Sequence, residues 1–119
     1  MIRMNLSTLI PHLLQYQLLL KLYHWQTHSY ARHKASDELY DKLTDFMDQL
    51  VEYGTYQTRL RVVAQCIKIH NMTDDNAVSF LEDLSNVIEN IQTNDQGIRA
   101  RRDDLIGYLH QTIYLFHLV

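Results

Sequence analysis

The side chains with the clearest chemical potential are five carboxylates that recur in one stretch of the chain. They are Asp37, Asp41, Asp45, Asp48 and Glu52. At about 100° per residue of a helix, all five fall within roughly 80° of the first and so share one face. Because like charges one helical turn apart repel, such a row costs stability unless cations, basic side chains or water offset it. The row is either a solvated helix face or one side of a cation site.

Three histidines lie close to this acidic row in the sequence. His24 and His28 are one helical turn apart and share a polar strip with Lys21. His33 precedes Asp37 by four residues. Imidazole and carboxylate together suit a divalent first-row metal such as iron, manganese or zinc. These residue types therefore indicate a metal site.

Four helices are predicted to position these side chains, because apolar residues recur with helical spacing along most of the chain. Between the second and third, residues 58–71 mix alternating and continuous apolar residues, and we expect a connector with a short helical or extended piece. The predicted helices span residues 8–28, residues 32–56, a third segment from the capping candidates Thr73–Asp75 to residues 93–95, and a fourth from Gly97 to the end.

The apolar faces of the first two predicted helices fix which way the chemical groups point. The core face of the second helix lies about 180° from the acidic row, so only a second subunit can meet that row. Two apolar stripes on the first helix require two packing partners, its own bundle and a neighbouring subunit. The core face of the second helix is Leu39, Leu43, Phe46, Met47 and Leu50. The two stripes are Leu9, Leu13, Tyr16, Leu20 and Tyr23, and Leu14, Leu18, Leu22 and Trp25.

The length of 119 residues indicates one domain over residues 1–119, and a single Pro with three Gly disfavours a β-sandwich or barrel. We therefore expect an all-α fold, an antiparallel four-helix bundle. The net charge of −3 gives no general attraction for phosphate backbones. Cys66 is expected to be a small buried hydrophobe. With neither a membrane-length apolar run nor a signal peptide, we expect a cytoplasmic protein.

The most specific pattern is a set of linked spacings in residues 19–54, which resembles the core motif of the Dps-type miniferritins of the ferritin-like superfamily. In that family a His–Trp pair ends the first helix and a His and an Asp four residues apart follow. An Asp and a Glu four residues apart lie eleven residues further along. The interval between the first and second His is about one helical turn shorter here, which leaves His28 as an alternative first ligand. The matching residues are His24–Trp25, His33, Asp37, Asp48 and Glu52.

The resemblance implies a ferritin-like bundle that assembles as a homo-oligomer, at least a dimer and up to a dodecamer. It implies an iron site between two subunits, with His ligands from one and Asp and Glu ligands from the other. Fe(II) is the substrate there, oxidised by peroxide or oxygen and stored as ferric mineral, and the same donors suit zinc or manganese. Trp25 is the implied residue beside the iron, where the family's Trp takes up stray oxidising equivalents. The implied ligands are His24, His33, Asp48 and Glu52 at the catalytic centre, with Asp37 as a further ligand.

Other features limit the implied activity. The Glu-x-x-His pairs of ferritin are absent, so we do not expect a di-iron centre within one subunit. Arg99, Arg101 and Arg102 are expected to be solvated and paired with nearby aspartates. Only Arg3 precedes the first predicted helix, where many Dps proteins carry a Lys-rich tail. DNA binding is therefore expected to be weak or absent.

A second hypothesis keeps the bundle and its dimer face without any metal. Compact ferritin-like chains also resemble small proteins of large DNA viruses, which implies a structural or interaction role in a virion or in host cytosol. Under this hypothesis the acidic row is a solvated helix face, and Trp25 is an interface anchor, because aromatic residues are enriched at interface cores.

Overall fold

Four helices and no strand make up the described part of the chain, a computed structural model covering residues 5–59, 61–63 and 65–118. This confirms the all-α class. Arg3 and the connector residues Leu60 and Ala64 lie outside the described residues. None of the four helices is long and apolar enough to cross a bilayer. They are α1 (Leu6–Gln26), α2 (Tyr30–Thr58), α3 (Ala77–Glu89) and α4 (Gln96–Phe116).

Polar contacts in the short turn between α1 and α2 fix where each helix stops. Thr27 adopts an extended conformation, and its hydroxyl donates to Asp74 Oδ1 at 2.5 Å. Ser29 caps α2, its Oγ accepting from the backbone N–H of Arg32 at 3.2 Å. Because these side-chain bonds compete with continued helix, α1 ends at Gln26 rather than at residue 28, and α2 begins before the predicted residue 32.

The other helix ends also differ from the predicted bounds by a few residues. α2 continues past the predicted residue 56 to Thr58 and is capped by Arg59, whose backbone is left-handed with φ 54° and ψ 38°. Its N–H reaches the carbonyls of Gly54 and Thr55 and closes the last turn. α3 ends at Glu89, before the predicted residues 93–95. α4 ends at Phe116 instead of running to the end of the chain.

The connector between α2 and α3 spans residues 59–76, and its described residues from Lys68 to Asn71 lie along α1. The side-chain amide of Gln15 donates to the carbonyl of Lys68 at 3.0 Å, and Gln26 bonds Asn71 further along. α3 therefore starts at the end of the bundle where α2 starts, which makes α2 and α3 parallel. α4 returns antiparallel to α3, and its last residues reach the first turn of α2.

The core forms where the apolar faces of the helices meet, and the predicted core face of α2 is entirely buried. The second stripe of α1 is covered only in part by the described residues, and Leu14 is the member that packs against the core. Leu18 is 43% exposed and Trp25 68% exposed, while Leu14 and Leu22 are half-buried. We call these four residues the α1 outer stripe.

Cys66 is exposed on the connector, so the prediction of a buried cysteine is wrong. The connector contacts α1 near Lys68 and Asn71, and Cys66 lies on a part of it that is exposed and does not enter the core. Val63 and Ile69 are also exposed, whereas Met72 is buried where the connector approaches α3. Helical spacing in the sequence could not reveal the exposure of Cys66. The burial of a connector side chain depends on the path of the chain and not on a helical repeat.

Candidate metal site

The end of α1 and the start of α2 bring two histidines into contact. The rings of His24 and His33 stack with centroids 3.9 Å apart and planes 15° apart. His24 Nδ1 lies 2.6 Å from the carbonyl oxygen of His33, and His33 Nδ1 lies 2.8 Å from the carbonyl oxygen of His24. Since a carbonyl oxygen can only accept, both Nδ1 atoms must carry the hydrogen. In a neutral imidazole this leaves Nε2 with a free lone pair.

The reciprocal bonds follow from the way α1 ends. The last carbonyls of a helix lack a partner within it, and His33 supplies one for His24. The backbone N–H of His28, which a longer helix would have used there, lies instead 3.4 Å from Asp74 Oδ2. These contacts could equally form a structural clamp, that is, a pair of bonds that only stabilises the turn. Whether the histidine pair suits a metal therefore depends on the groups around Nε2.

Asp37, one helical turn after His33, is the carboxylate beside the pair. Its Oδ1 lies 3.8 Å from His24 Nε2 and 3.4 Å from Lys21 Nζ. With Nδ1 protonated, Nε2 of a neutral His24 and this oxygen are two electron-rich atoms facing each other, and a cation between them is stabilised. Two ligands of one tetrahedral ion at ~2.1 Å each lie roughly 3.4 Å apart. The observed spacing is thus close to that of two donors sharing an ion.

These groups open onto a shallow surface pocket of 210 Å³. The ring of Tyr30 stacks 6.3 Å from that of His33, and Lys34 Nζ lies 5.9 Å from the Tyr30 ring. The Asp37 side chain is 49% exposed, whereas His24 is buried, so an ion would enter from the carboxylate side. The pocket is lined by His24, Tyr30, His33, Lys34, Asp37 and Glu38.

The remaining predicted ligands, Asp48 and Glu52, are exposed further along the same face of α2. Asp48 follows Asp37 by eleven residues, which at ~1.5 Å per residue is about 16 Å along the helix. The structure therefore brings His24, His33 and Asp37 together and leaves the other two apart from them in the same chain. Within the described ranges, no three His, Cys, Asp or Glu side chains are placed to hold one metal ion.

The other two members of the acidic row, Asp41 and Asp45, are exposed as well. Asp45 borders a groove of 460 Å³ between α2 and α4, where Lys42 and Arg101 contribute positive charge. The whole row thus points away from the core, as its helical spacing predicts. Asp41, Asp45, Asp48 and Glu52 form no ion pair among the described residues.

His28, the alternative first ligand, lies exposed in the turn and not beside His33 and Asp37. Its neighbour Asp74 accepts hydrogen bonds from the Thr27 hydroxyl at 2.5 Å and the Tyr23 hydroxyl at 2.7 Å. These bonds, that from Thr27 first, hold the pKa of Asp74 below its usual range against the opposing effect of burial. Asp74 thus ties the connector to the turn that carries the histidine pair.

Two residues of the site carried no assigned role in the sequence. Lys21 lies on the same polar strip of α1 as His24. This position could have been used to predict its contact with Asp37. Its Nζ also lies 5.8 Å from the centroid of the Trp25 ring. Tyr30 gave no signal, because an aromatic residue in the first turn of a helix is as often a packing residue as a pocket wall.

Comparison with known proteins gives one family match. The chain matches the family of unknown function DUF5856 over residues 24–116, which includes α2, α3, α4 and the last residues of α1. Searches of curated proteins and of solved structures each found no match.

Proposed function

Since the chain belongs to the DUF5856 family, whose function is unknown, we propose from its own residues that it is a ferritin-like protein that binds and oxidises Fe(II) at sites shared by two subunits. The observation that carries the proposal is the reciprocal bonding of His24 and His33, which leaves an Nε2 lone pair facing Asp37. Metal-binding histidines are commonly held in this way, with the second ring nitrogen donating to a carbonyl. Manganese and zinc are alternative ions for the same donors.

The order of the helices supports a ferritin-like bundle. The antiparallel pairs α1–α2 and α3–α4 are joined by one long connection, residues 59–76, and one long crossover is the connectivity of ferritin-like folds. The candidate ligands lie on the first of these pairs. The motif residues and the helix order therefore point to the same superfamily independently.

A second copy of the chain supplies the remaining carboxylates in this proposal. The α1 outer stripe and the acidic row lie side by side on one surface, because the Lys21–Asp37 contact joins α1 to α2. Exposed apolar side chains next to uncovered carboxylates favour burial against another molecule. With the two α2 helices antiparallel across a two-fold axis, Asp48 and Glu52 of each copy come opposite the histidine pair of the other.

The chemistry uses these residues to hold Fe(II) and the charge that oxidation adds. The Nε2 atoms and carboxylates bind the ions, and the negative carboxylates stabilise Fe(III) relative to Fe(II). Two Fe(II) ions each give up one electron, and one peroxide takes both electrons with two protons to become two waters. Dioxygen, the other oxidant, takes two electrons and two protons to become peroxide. Trp25, whose ring centroid lies 5.8 Å from Lys21 Nζ, is proposed to give up an electron to stray oxidising species.

The test is an anaerobic titration with Fe(II), followed by addition of peroxide while ferric absorbance is recorded. We expect the native protein to oxidise iron faster than buffer. Asp48→Asn combined with Glu52→Gln should lower the initial rate about tenfold or more by removing negative ligands. Asp41→Asn combined with Asp45→Asn is the matched control, since it also removes two charges from the same row, outside the proposed site. A native rate no faster than that of buffer would rule out the proposal.

The competing candidate is a structural or interaction protein that uses the same dimer face without metal. The clamp formed by His24 and His33 favours it, because that clamp stabilises the turn whether or not an ion binds. Under this candidate the Asp48→Asn, Glu52→Gln change raises stability by a few tenths of a kcal/mol through relief of repulsion. Either function is proposed for the cytosol or a virion; in a reducing cytosol an exposed thiol such as Cys66 stays reduced.

A further inference from the structure

Lys21 occupies the acidic side of the candidate site. Its Nζ lies 3.4 Å from Oδ1 of Asp37, the same oxygen that faces Nε2 of His24 at 3.8 Å. The ammonium also lies 4.7 Å from the centroid of the Tyr40 ring and 5.8 Å from that of Trp25. Two aromatic faces and a carboxylate together are the surroundings that attract a cation. Lys21 therefore provides Asp37 with a positive charge from within the chain.

We propose that Lys21 is a built-in competitor that a divalent ion must displace from Asp37, an inference that rests on the proposed function. An ammonium and a divalent ion a few ångströms apart repel, so each weakens the binding of the other to Oδ1. The lysine side chain is flexible and 30% exposed, which allows its ammonium to move into solvent when a metal arrives. The consequence is that Lys21 sets a threshold for metal binding and neutralises Asp37 until that threshold is reached.

The experiment measures the binding of Co(II). This ion is chosen as the probe because its oxidation state does not change in aerated buffer that contains no peroxide. Affinity is read from the visible absorbance of bound Co(II) and from quenching of Trp25, the single tryptophan of the chain. Lys21→Met keeps the length of the side chain and removes its charge. We expect it to tighten Co(II) binding roughly threefold to tenfold, the scale of losing a partly exposed ion pair and a nearby like charge.

Lys34→Met is the matched control. Lys34 lines the same pocket and carries the same charge, but it forms no ion pair within the described part of the chain. We expect its removal to change Co(II) affinity by less than about twofold, because only general electrostatics is altered. A double-mutant cycle with Asp37→Asn completes the design, since the gain from Lys21→Met should vanish when the carboxylate is absent.

The outcomes separate this inference from the proposed function. If the native protein binds Co(II) and Lys21→Met leaves the affinity unchanged or weaker, the competitor role is wrong while the metal site stands. A gain that persists in the Asp37→Asn background, or an equal gain from Lys34→Met, also overturns it. If only Lys21→Met binds Co(II), Lys21 blocks the site as proposed. If no variant binds Co(II), the competitor role and the metal site both fall.

Discussion

The choice of ring nitrogen at two histidines determines what this surface can do. The sequence supplies His24 and His33 as candidate ligands, but residue type does not say which ring nitrogen is free. The structure answers this through two backbone carbonyls, which fix both Nδ1 hydrogens and leave Nε2 available. That information depends on where α1 stops, and the stop depends on the bonds of Thr27 to a distant residue, Asp74.

Asp74 gives a prediction at the residue scale. Asp74→Asn should lower the free energy of unfolding at neutral pH by about 1.5–3 kcal/mol, because hydrogen bonds from Thr27 and Tyr23 to a charged acceptor are weakened. Its pKa is depressed in the folded chain, so the stabilisation is complete above its ordinary pKa of 3.8 and is lost as pH falls through the lower folded value. Urea unfolding between pH 2 and 7 measures both effects.

The control for that measurement is Asp75→Asn. Asp75 is exposed, and no side-chain bond of it is recorded among the described residues. We expect it to change the unfolding free energy by less than about 0.5 kcal/mol, as for most surface substitutions. If the two variants are equally stable and both lose stability at acid pH as the native protein does, Asp74 does not tie the connector to the turn.

At the scale of elements, helical spacing predicted four helices and the buried face of α2, but not where helices end. The stops at Thr27 and Arg59 come from capping bonds that leave little trace in spacing. The exposure of Cys66 was missed for a similar reason: the connector has no regular apolar spacing from which the burial of its side chains could be predicted. The α1 outer stripe was predictable as a second apolar surface, because four residues repeat on one side of the helix.

Arg59 provides the prediction for an element. A non-glycine residue in the left-handed region is strained by its Cβ, so Arg59→Gly should raise the free energy of unfolding by about 1 kcal/mol. Gln57→Gly is the control of opposite sign, since a glycine inside the last turns of α2 should cost about 1 kcal/mol. Chemical denaturation measures both. Equal loss of stability in the two variants would show that the left-handed cap does not end α2.

At the scale of the whole molecule, the histidine pair and Asp37 form one half of the proposed site, and a second subunit is proposed to supply the other half. His24, His33 and Asp37 meet within one chain, whereas Asp48 and Glu52 lie about 16 Å and about 22 Å beyond Asp37 along the same face of α2. Sequence could predict the five candidate ligands and the common face of the three carboxylates on α2, whereas their alignment between two subunits depends on contacts that a single chain does not contain. The α1 outer stripe, exposed beside them, is the surface on which that partner is expected.

Complementation between two defective chains tests this central claim most directly. One chain carries His24→Asn and His33→Asn, which keep a donor near Nδ1 and remove Nε2, and the other carries Asp48→Asn and Glu52→Gln. Each alone should bind no Co(II) at the site. Unfolded and refolded together at equal amounts, they should regain about a quarter of the native sites, since half of randomly formed two-fold dimers are mixed and each has one intact site of two. Recovery of none, with both chains folded and paired, would contradict a site built between subunits.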